Sequence, residues 1–232
     1  MPRKWAAALG VIGILGAAGC GAQEAPADEP GVSRASLLPD TVDLPAGAQI
    51  DSLDDEEQMV LSIKLDAPST GLGLENTRVF DPPECDEQNR YADEARVRLI
   101  RDGSANVAIF DGERSYVVLV SETDMDVPRV ADAHTGPCSA YTLTSTSNDH
   151  TYRGTVRTER LDLPPSLMSK DAVILSEVTD PDNPARVNDE VLLGYAALNG
   201  YTVMVLGYQG KEFEAEFGEV FTRVFEKVRR LT

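Results

Sequence analysis

Residues 191–207 read VLLGYAALNGYTVMVLG, and this stretch decides the fold. Two apolar runs, 191–198 and 201–208, flank the dipeptide Asn199-Gly200. Asn-Gly accepts the positive φ values of a type I′ turn, whose twist matches that of two paired strands, so the stretch predicts a β-hairpin. Just beyond it, Phe213, Phe217, Val220, Phe221, Val224, Val228 and Leu231 recur at spacings of three and four. That period puts an apolar stripe on one side of a C-terminal amphipathic helix. Gly210 precedes the helix, and Arg229 and Arg230 near its end complement the helix dipole.

Working back from the hairpin, residues 173–178 form another apolar run, while 140–146 and 152–161 are rich in Thr and Tyr and read as strands. The runs 107–110 and 116–120 are joined by Asp111-Gly112-Glu113-Arg114, a second hairpin signal. Residues 59–65 carry Val60, Leu61, Ile63 and Leu65 and read as a strand. Pro82-Pro83-Glu84 opens a helix with Cys85 in its first turn. A weaker helix over 124–133 leads into Gly136-Pro137-Cys138. Roughly seven or eight strands and about three helices, with hairpins outnumbering βαβ units, predict an α+β fold: a central antiparallel sheet with helices packed on one face.

The chain has 232 residues, 42% of them hydrophobic, enough to bury a core. Its 39 acidic and 21 basic residues give a net charge of −18. That balance argues against nucleic acid as a partner, because phosphate binding needs Lys and Arg to displace counterions. It also argues against a polybasic patch for anionic lipid.

The N-terminus carries the clearest functional signal. Arg3 and Lys4 precede an uncharged run of 13 residues, 6–18. A spanning helix needs roughly 20 apolar residues, whereas the apolar region of a signal peptide needs about 7–15. The run ends Ala17-Ala18-Gly19-Cys20. This resembles the lipobox of bacterial lipoproteins, although Ala17 stands where that family most often has Leu and Leu15 lies two positions earlier. The resemblance implies that the Cys20 thiol carries a diacylglyceryl group with palmitate-type chains and that the chain is cut just before it. An ordinary secretory signal with an incidental cysteine is the alternative. On the first reading residues 1–19 are the signal peptide. Residues 20–36 are the lipidated cysteine and a disordered, small-residue stalk, and 37–232 are one domain. Two acyl chains hold a protein on a membrane stably, so the expected location is the extracytoplasmic face of the cell membrane.

Lipidation at Cys20 leaves Cys85 and Cys138 of the chain's three cysteines. An exported compartment is oxidising, so a disulfide between them is expected, with two separate thiols as the alternative. It closes a loop of about 54 residues and stabilises by about 4 kcal/mol in the chain-entropy account. No CxxC redox motif is present.

No catalytic, cofactor or metal residues are expected. His134 and His150, the only histidines, are too few for a zinc site and fall in segments that read as exposed. Neither a Gly-x-Ser-x-Gly elbow nor a nucleotide fingerprint is present: Gly71 and Gly73 are followed by Asn76 where the third glycine belongs. Asp51, Asp54, Asp55, Glu56 and Glu57 form one acidic cluster. Asp180, Asp182, Asn183, Asn188, Asp189 and Glu190 form another. The second starts like a calcium loop but has Pro184 and Ala185 where a ligand and a glycine are needed, so solvated loop charge is the better reading of both.

Leu38-Pro39, Leu44-Pro45-Ala46-Gly47, Pro83-Glu84-Cys85 heading a helix, a strand-rich middle with Cys138 and the closing Asn199-Gly200 hairpin and helix together resemble actinobacterial lipoproteins of unknown function. These in turn are similar to the extracellular sensor domain of a mycobacterial serine/threonine kinase. The resemblance implies an α+β sensor-like domain with a cleft and a binding role, and it carries over no catalytic residue. The expected function is therefore a membrane-anchored domain that binds a small-molecule, lipid or protein ligand. A carrier of lipid or another apolar molecule is the alternative and requires a cavity beside residues 213–231. A carboxylate-based hydrolase requires two carboxyl groups converging in one cleft, one with a raised pKa.

Overall fold

In the strands at the centre of the fold the apolar residues run without a break: Val117, Val118, Leu119 and Val120 in one, Val203, Met204, Val205 and Leu206 in another. Neighbouring strand residues point to opposite faces, so such a run needs cover on both sides. The computed structural model of the protein supplies that cover. It describes residues 33–53, 76–110, 114–147, 150–168, 171–182, 189–207 and 211–232. The expected strand at 59–65, the signal peptide, Cys20 and the stalk up to residue 32 lie outside the described residues.

The elements in order are α1 (Arg34–Leu37), β1 (Gln49–Ser52), β2 (Asn76–Asp81), α2 (Cys85–Asp102), β3 (Gly103–Phe110), β4 (Arg114–Ser121), α3 (Val127–Thr135), β5 (Ala140–Ser147), β6 (His150–Leu161), β7 (Asp171–Pro181), β8 (Asp189–Leu198), β9 (Tyr201–Gly207), a 3-10 turn (Lys211–Phe213) and α4 (Glu214–Leu231). The helical turn α1 takes in residues assigned above to the stalk. The described strands form one nine-stranded sheet in the order β1-β3-β4-β9-β8-β7-β6-β5-β2. Every neighbouring pair is antiparallel.

The expected α+β fold with a central antiparallel sheet and a C-terminal helix is present. Placing the helices on one face is corrected. α1 and α4 cover one face, burying Tyr116, Val118, Val120, Ile174, Ala196, Val203 and Val205 against Leu37, Phe217, Phe221, Phe225 and Val228. α2 and α3 cover the other, burying Val117, Leu119, Val173, Leu175, Tyr195, Met204 and Leu206 against Ala92, Ala95, Leu99, Val127, Val130 and Ala131. Consecutive residues of β4, β7 and β9 thus enter opposite layers, which is why one layer of helices cannot satisfy them.

Local sequence sets the elements. Asn199 and Gly200 adopt φ of 50° and 80°, the positive pair that a type I′ hairpin requires. In β3 and β4, Phe110 pairs with Arg114, so those strands form the second expected hairpin, although Asp111, Gly112 and Glu113 lie outside the described residues. The Asp126 carboxylate accepts from the Arg129 backbone N–H at 3.0 Å, capping α3. Gly194 in β8 lets α4 come close, since a Cβ there would lie 3.0 Å from the Phe221 ring. The segment before β1 folds over α4: Leu37, Leu38 and Leu44 are buried. Lys227 of α4 donates to Asp40 at 3.1 Å and to Asp43 at 2.8 Å.

Candidate functional site

The disulfide expected between Cys85 and Cys138 is present. It ties the first turn of α2 to the segment after α3 and is packed among Phe80, Tyr141 and Val156. The two helices are thereby held side by side on one face of the sheet, and a groove of about 650 Å³ opens between them. Its walls carry Glu84, Glu87, Gln88 and Tyr91 from the α2 side and Arg129, Asp132, Ala133 and Thr135 from α3. The Arg129 guanidinium carbon lies 3.6 Å from the centre of the Tyr91 ring, a close cation–π stack.

Beneath the groove, between the helices and β2, β5, β6, β7 and β8, lies a polar layer. The Tyr141 hydroxyl donates to Asn89 Oδ1 at 2.9 Å, and the Asn89 amide donates to the Cys85 carbonyl at 2.9 Å. Arg78 pairs with Asp93 at 3.3 Å and also lies over the Phe80 ring. His134 Nδ1 is 3.9 Å from Glu177 Oε2, with the imidazole 4% exposed and the carboxylate 25% exposed. Thr158 pairs with Glu177 in the β6–β7 ladder, and its hydroxyl slightly lowers the proton affinity of the glutamate. Arg96 sits among Tyr195, Asp93 and Glu177.

Burial dominates the proton affinities. It pulls the His134 pKa down to about 3, with the Arg96 charge adding to the shift, so the imidazole is neutral at physiological pH. It pushes Glu177 above the usual carboxylate range, and Asp93 adds to this while Arg96 opposes it. Tyr141 is pushed up by burial and by the Glu177 and Asp93 charges. Burial disfavours the Arg96 charge, but Tyr195, Asp93 and Glu177 outweigh it and keep the guanidinium protonated. The layer thus holds two guanidinium groups against two carboxyl groups.

A second groove, about 810 Å³, runs beside α4. Asp162, Glu212, Glu214 and Glu219 line it with Leu163, Pro164 and Ile174, and Arg223 there is paired with Glu219 at 3.2 Å. The apolar stripe of α4 does not face this groove as a void: Phe217, Val220, Phe221, Val224, Phe225 and Val228 are each at most 1% exposed and pack on the sheet.

The histidine expectation is corrected. His134 lies in α3, seven residues after Val127 and four after Val130, on the same buried side of the helix. His150 opens β6. Of the second acidic cluster, Asp180 pairs with Arg157 and Asp182 with Arg153, both ion pairs to β6, while Glu190 accepts from Ser176. Asp189 pairs with Thr179 in the β7–β8 ladder, and residues 183–188 lie outside the described residues. In the first cluster only Asp51, on β1, is described. Gly71 and Gly73 also lie outside, and Asn76 starts β2. Among the described residues no group of three or more His, Cys, Asp or Glu is placed to hold a metal, and no helix is long and apolar enough to cross a membrane.

Asp93, Arg96, Tyr141 and Glu177 are missed by a search for motifs. A weaker signal is present: Glu177 interrupts the apolar run of β7, and Arg96 continues the Asn89, Ala92, Leu99 side of α2. A charge on an otherwise buried face implies partners inside.

No protein-family model and no curated protein matches the chain. Among solved structures the chain is similar to the extracellular domain of PknH from Mycobacterium tuberculosis, with a TM-score of 0.42 and 15% identity over 78% of this chain and 98% of that one.

Proposed function

We propose that the chain is an exported lipoprotein, held by a lipid on Cys20 at the extracytoplasmic face of the membrane, whose α+β domain binds a ligand in the groove between α2 and α3. The cysteine pairing carries the reading. Cys85 and Cys138 satisfy each other within the domain, so the remaining cysteine, Cys20, stands alone behind a short apolar run that ends in small residues. A buried structural disulfide suits an oxidising compartment. The groove lies within the size range of small-molecule sites, roughly 300–1,000 Å³, and has polar groups on its walls.

Binding is favoured over hydrolysis because the hydrolysis reading needs a carboxyl with a raised pKa in the cleft beside a second one, and Glu177, which burial pushes up, does not line the groove that Glu84, Glu87 and Asp132 do line. The carrier reading needs a void along the apolar stripe of α4, and that stripe is packed against the sheet. Cys20→Ala tests the anchor: the variant is expected to leave the membrane fraction for the soluble one. Full retention in the membrane after a high-salt wash would refute lipidation at this residue.

A further inference from the structure

We propose that the second groove, beside α4, takes a basic segment of a partner protein in which lysine or arginine alternates with apolar residues. The site is separate from the α2/α3 groove and stands independently of it. Its described lining comes from two parts of the chain. The connection after β6 gives Asp162, Leu163, Pro164 and Ser166, while the 3-10 turn and the first half of α4 give Glu212, Glu214, Ala215 and Glu219. The two parts meet where Gly218 approaches Pro164: a Cβ on that glycine would lie 3.3 Å from the proline ring. The groove is therefore shaped by packed elements, a loop held against a helix.

Charge complementarity selects the occupant. Both parts bring carboxylates, Asp162 from the loop and Glu212, Glu214 and Glu219 from the helix side. Among the described lining residues the positive charge is Arg223, and Glu219 already pairs with it at 3.2 Å. Negative charge is thus in excess, which repels an anionic partner and favours a basic one. Among the described residues no three such groups are placed to share one metal ion. The excess therefore suits positive groups spaced along a chain and not a single ion. The same lining holds Leu163, Pro164, Ala215 and Ile174, apolar surface that the apolar side chains of a ligand cover. Thr222 lines the groove too, and its hydroxyl is buried without a partner. A hydroxyl donates or accepts, and a peptide backbone supplies both an N–H and a C=O to meet it. A linear polyamine answers the carboxylates but leaves most of the apolar lining uncovered and offers Thr222 a donor only.

The test is NMR on the isotopically labelled full chain, titrated with an alternating lysine–leucine pentapeptide, its glutamate–leucine counterpart and spermidine. The lysine peptide is expected to shift the Ala215 and Gly218 backbone amides saturably. Asp162→Asn combined with Glu212→Gln changes two exposed residues, so the fold is kept. That double variant is expected to weaken the titration about fivefold or more. Glu84→Gln combined with Glu87→Gln, in the α2/α3 groove, is expected to leave it unchanged. This second pair controls for the general attraction of a basic peptide to a chain of net charge −18. The proposal is overturned if the lysine peptide leaves these amides unmoved, if the two double variants weaken the titration alike, or if the glutamate peptide binds as well. Spermidine binding as tightly as the lysine peptide would also overturn it, since charge alone would then fill the groove.

Discussion

The two layers that sandwich the sheet are built from the same strands and differ in what they bury. On the α1/α4 side, three phenylalanines of one helix lie at most 1% exposed on a bed of Val, Ile and Ala. On the α2/α3 side, the half of the layer nearest β2, β5, β6 and β7 holds two arginines, two carboxyl groups, a histidine and a tyrosine. An apolar layer gains from every methylene it removes from water. A buried ionic layer roughly breaks even at best, because desolvation offsets attraction. The first layer therefore accounts for stability. The second, with a groove above it, contributes less.

The comparison breaks first under truncation of the apolar layer. Phe221→Ala removes a fully buried ring that touches Gly194 closely, and the expected loss is about 3–5 kcal/mol, read from the urea midpoint at unchanged slope. A loss below about 1 kcal/mol would mean that α4 is not the anchor of this face.

The polar layer responds differently to single and paired changes. Asp93→Ala leaves Arg78 without its partner and is expected to cost about 3 kcal/mol or more. Arg78→Met combined with Asp93→Leu removes both charges and is expected to recover most of that loss in the same urea titration. If the double variant were as unstable as the single one, the layer would be load-sharing in the way the apolar one is, and the contrast would fail.

The smallest effect is a slope with pH. His134 is held neutral with a folded pKa of about 3 against 6.5 when unfolded. Between those values the unfolded chain binds a proton that the folded one refuses, so stability falls as pH drops through this window, by at most about 1.4 kcal/mol per unit. Glu177 acts in the opposite sense: its folded pKa is raised, so it favours the fold as pH falls toward the ordinary carboxylate value. His134→Gln is expected to flatten the acid slope measured by urea titration at pH 7, 5.5 and 4. An unchanged slope would show that His134 is not the group that refuses the proton.

Much of the fold is legible in the chain because its signals are local. The Asn199-Gly200 turn, the three-and-four spacing of the last helix and the Cys85 and Cys138 positions each depend on near neighbours or on counting. The continuous runs in β4 and β9 also contain the sign that both faces are covered, but reading them as strands alone leaves the helices on one side. The polar layer is less legible. Arg78, Asp93, Arg96, Tyr141 and Glu177 look like ordinary members of a strongly charged chain, and Arg78 and Glu177 are 99 residues apart.

The sequence by itself determined the leader pattern, the pairing available to the cysteines, the hairpins and the amphipathic last helix, since each follows from turn chemistry, periodicity or number. Only the tertiary structure decided that α2 and α3 lie opposite α4, that His134 points inward, and that two arginines and two carboxyl groups share one buried layer beneath a groove. Those outcomes depend on which strand faces meet which helices, and burial acts on the assembled layers: a charge costs little on a lone strand in water and much once a helix closes over it.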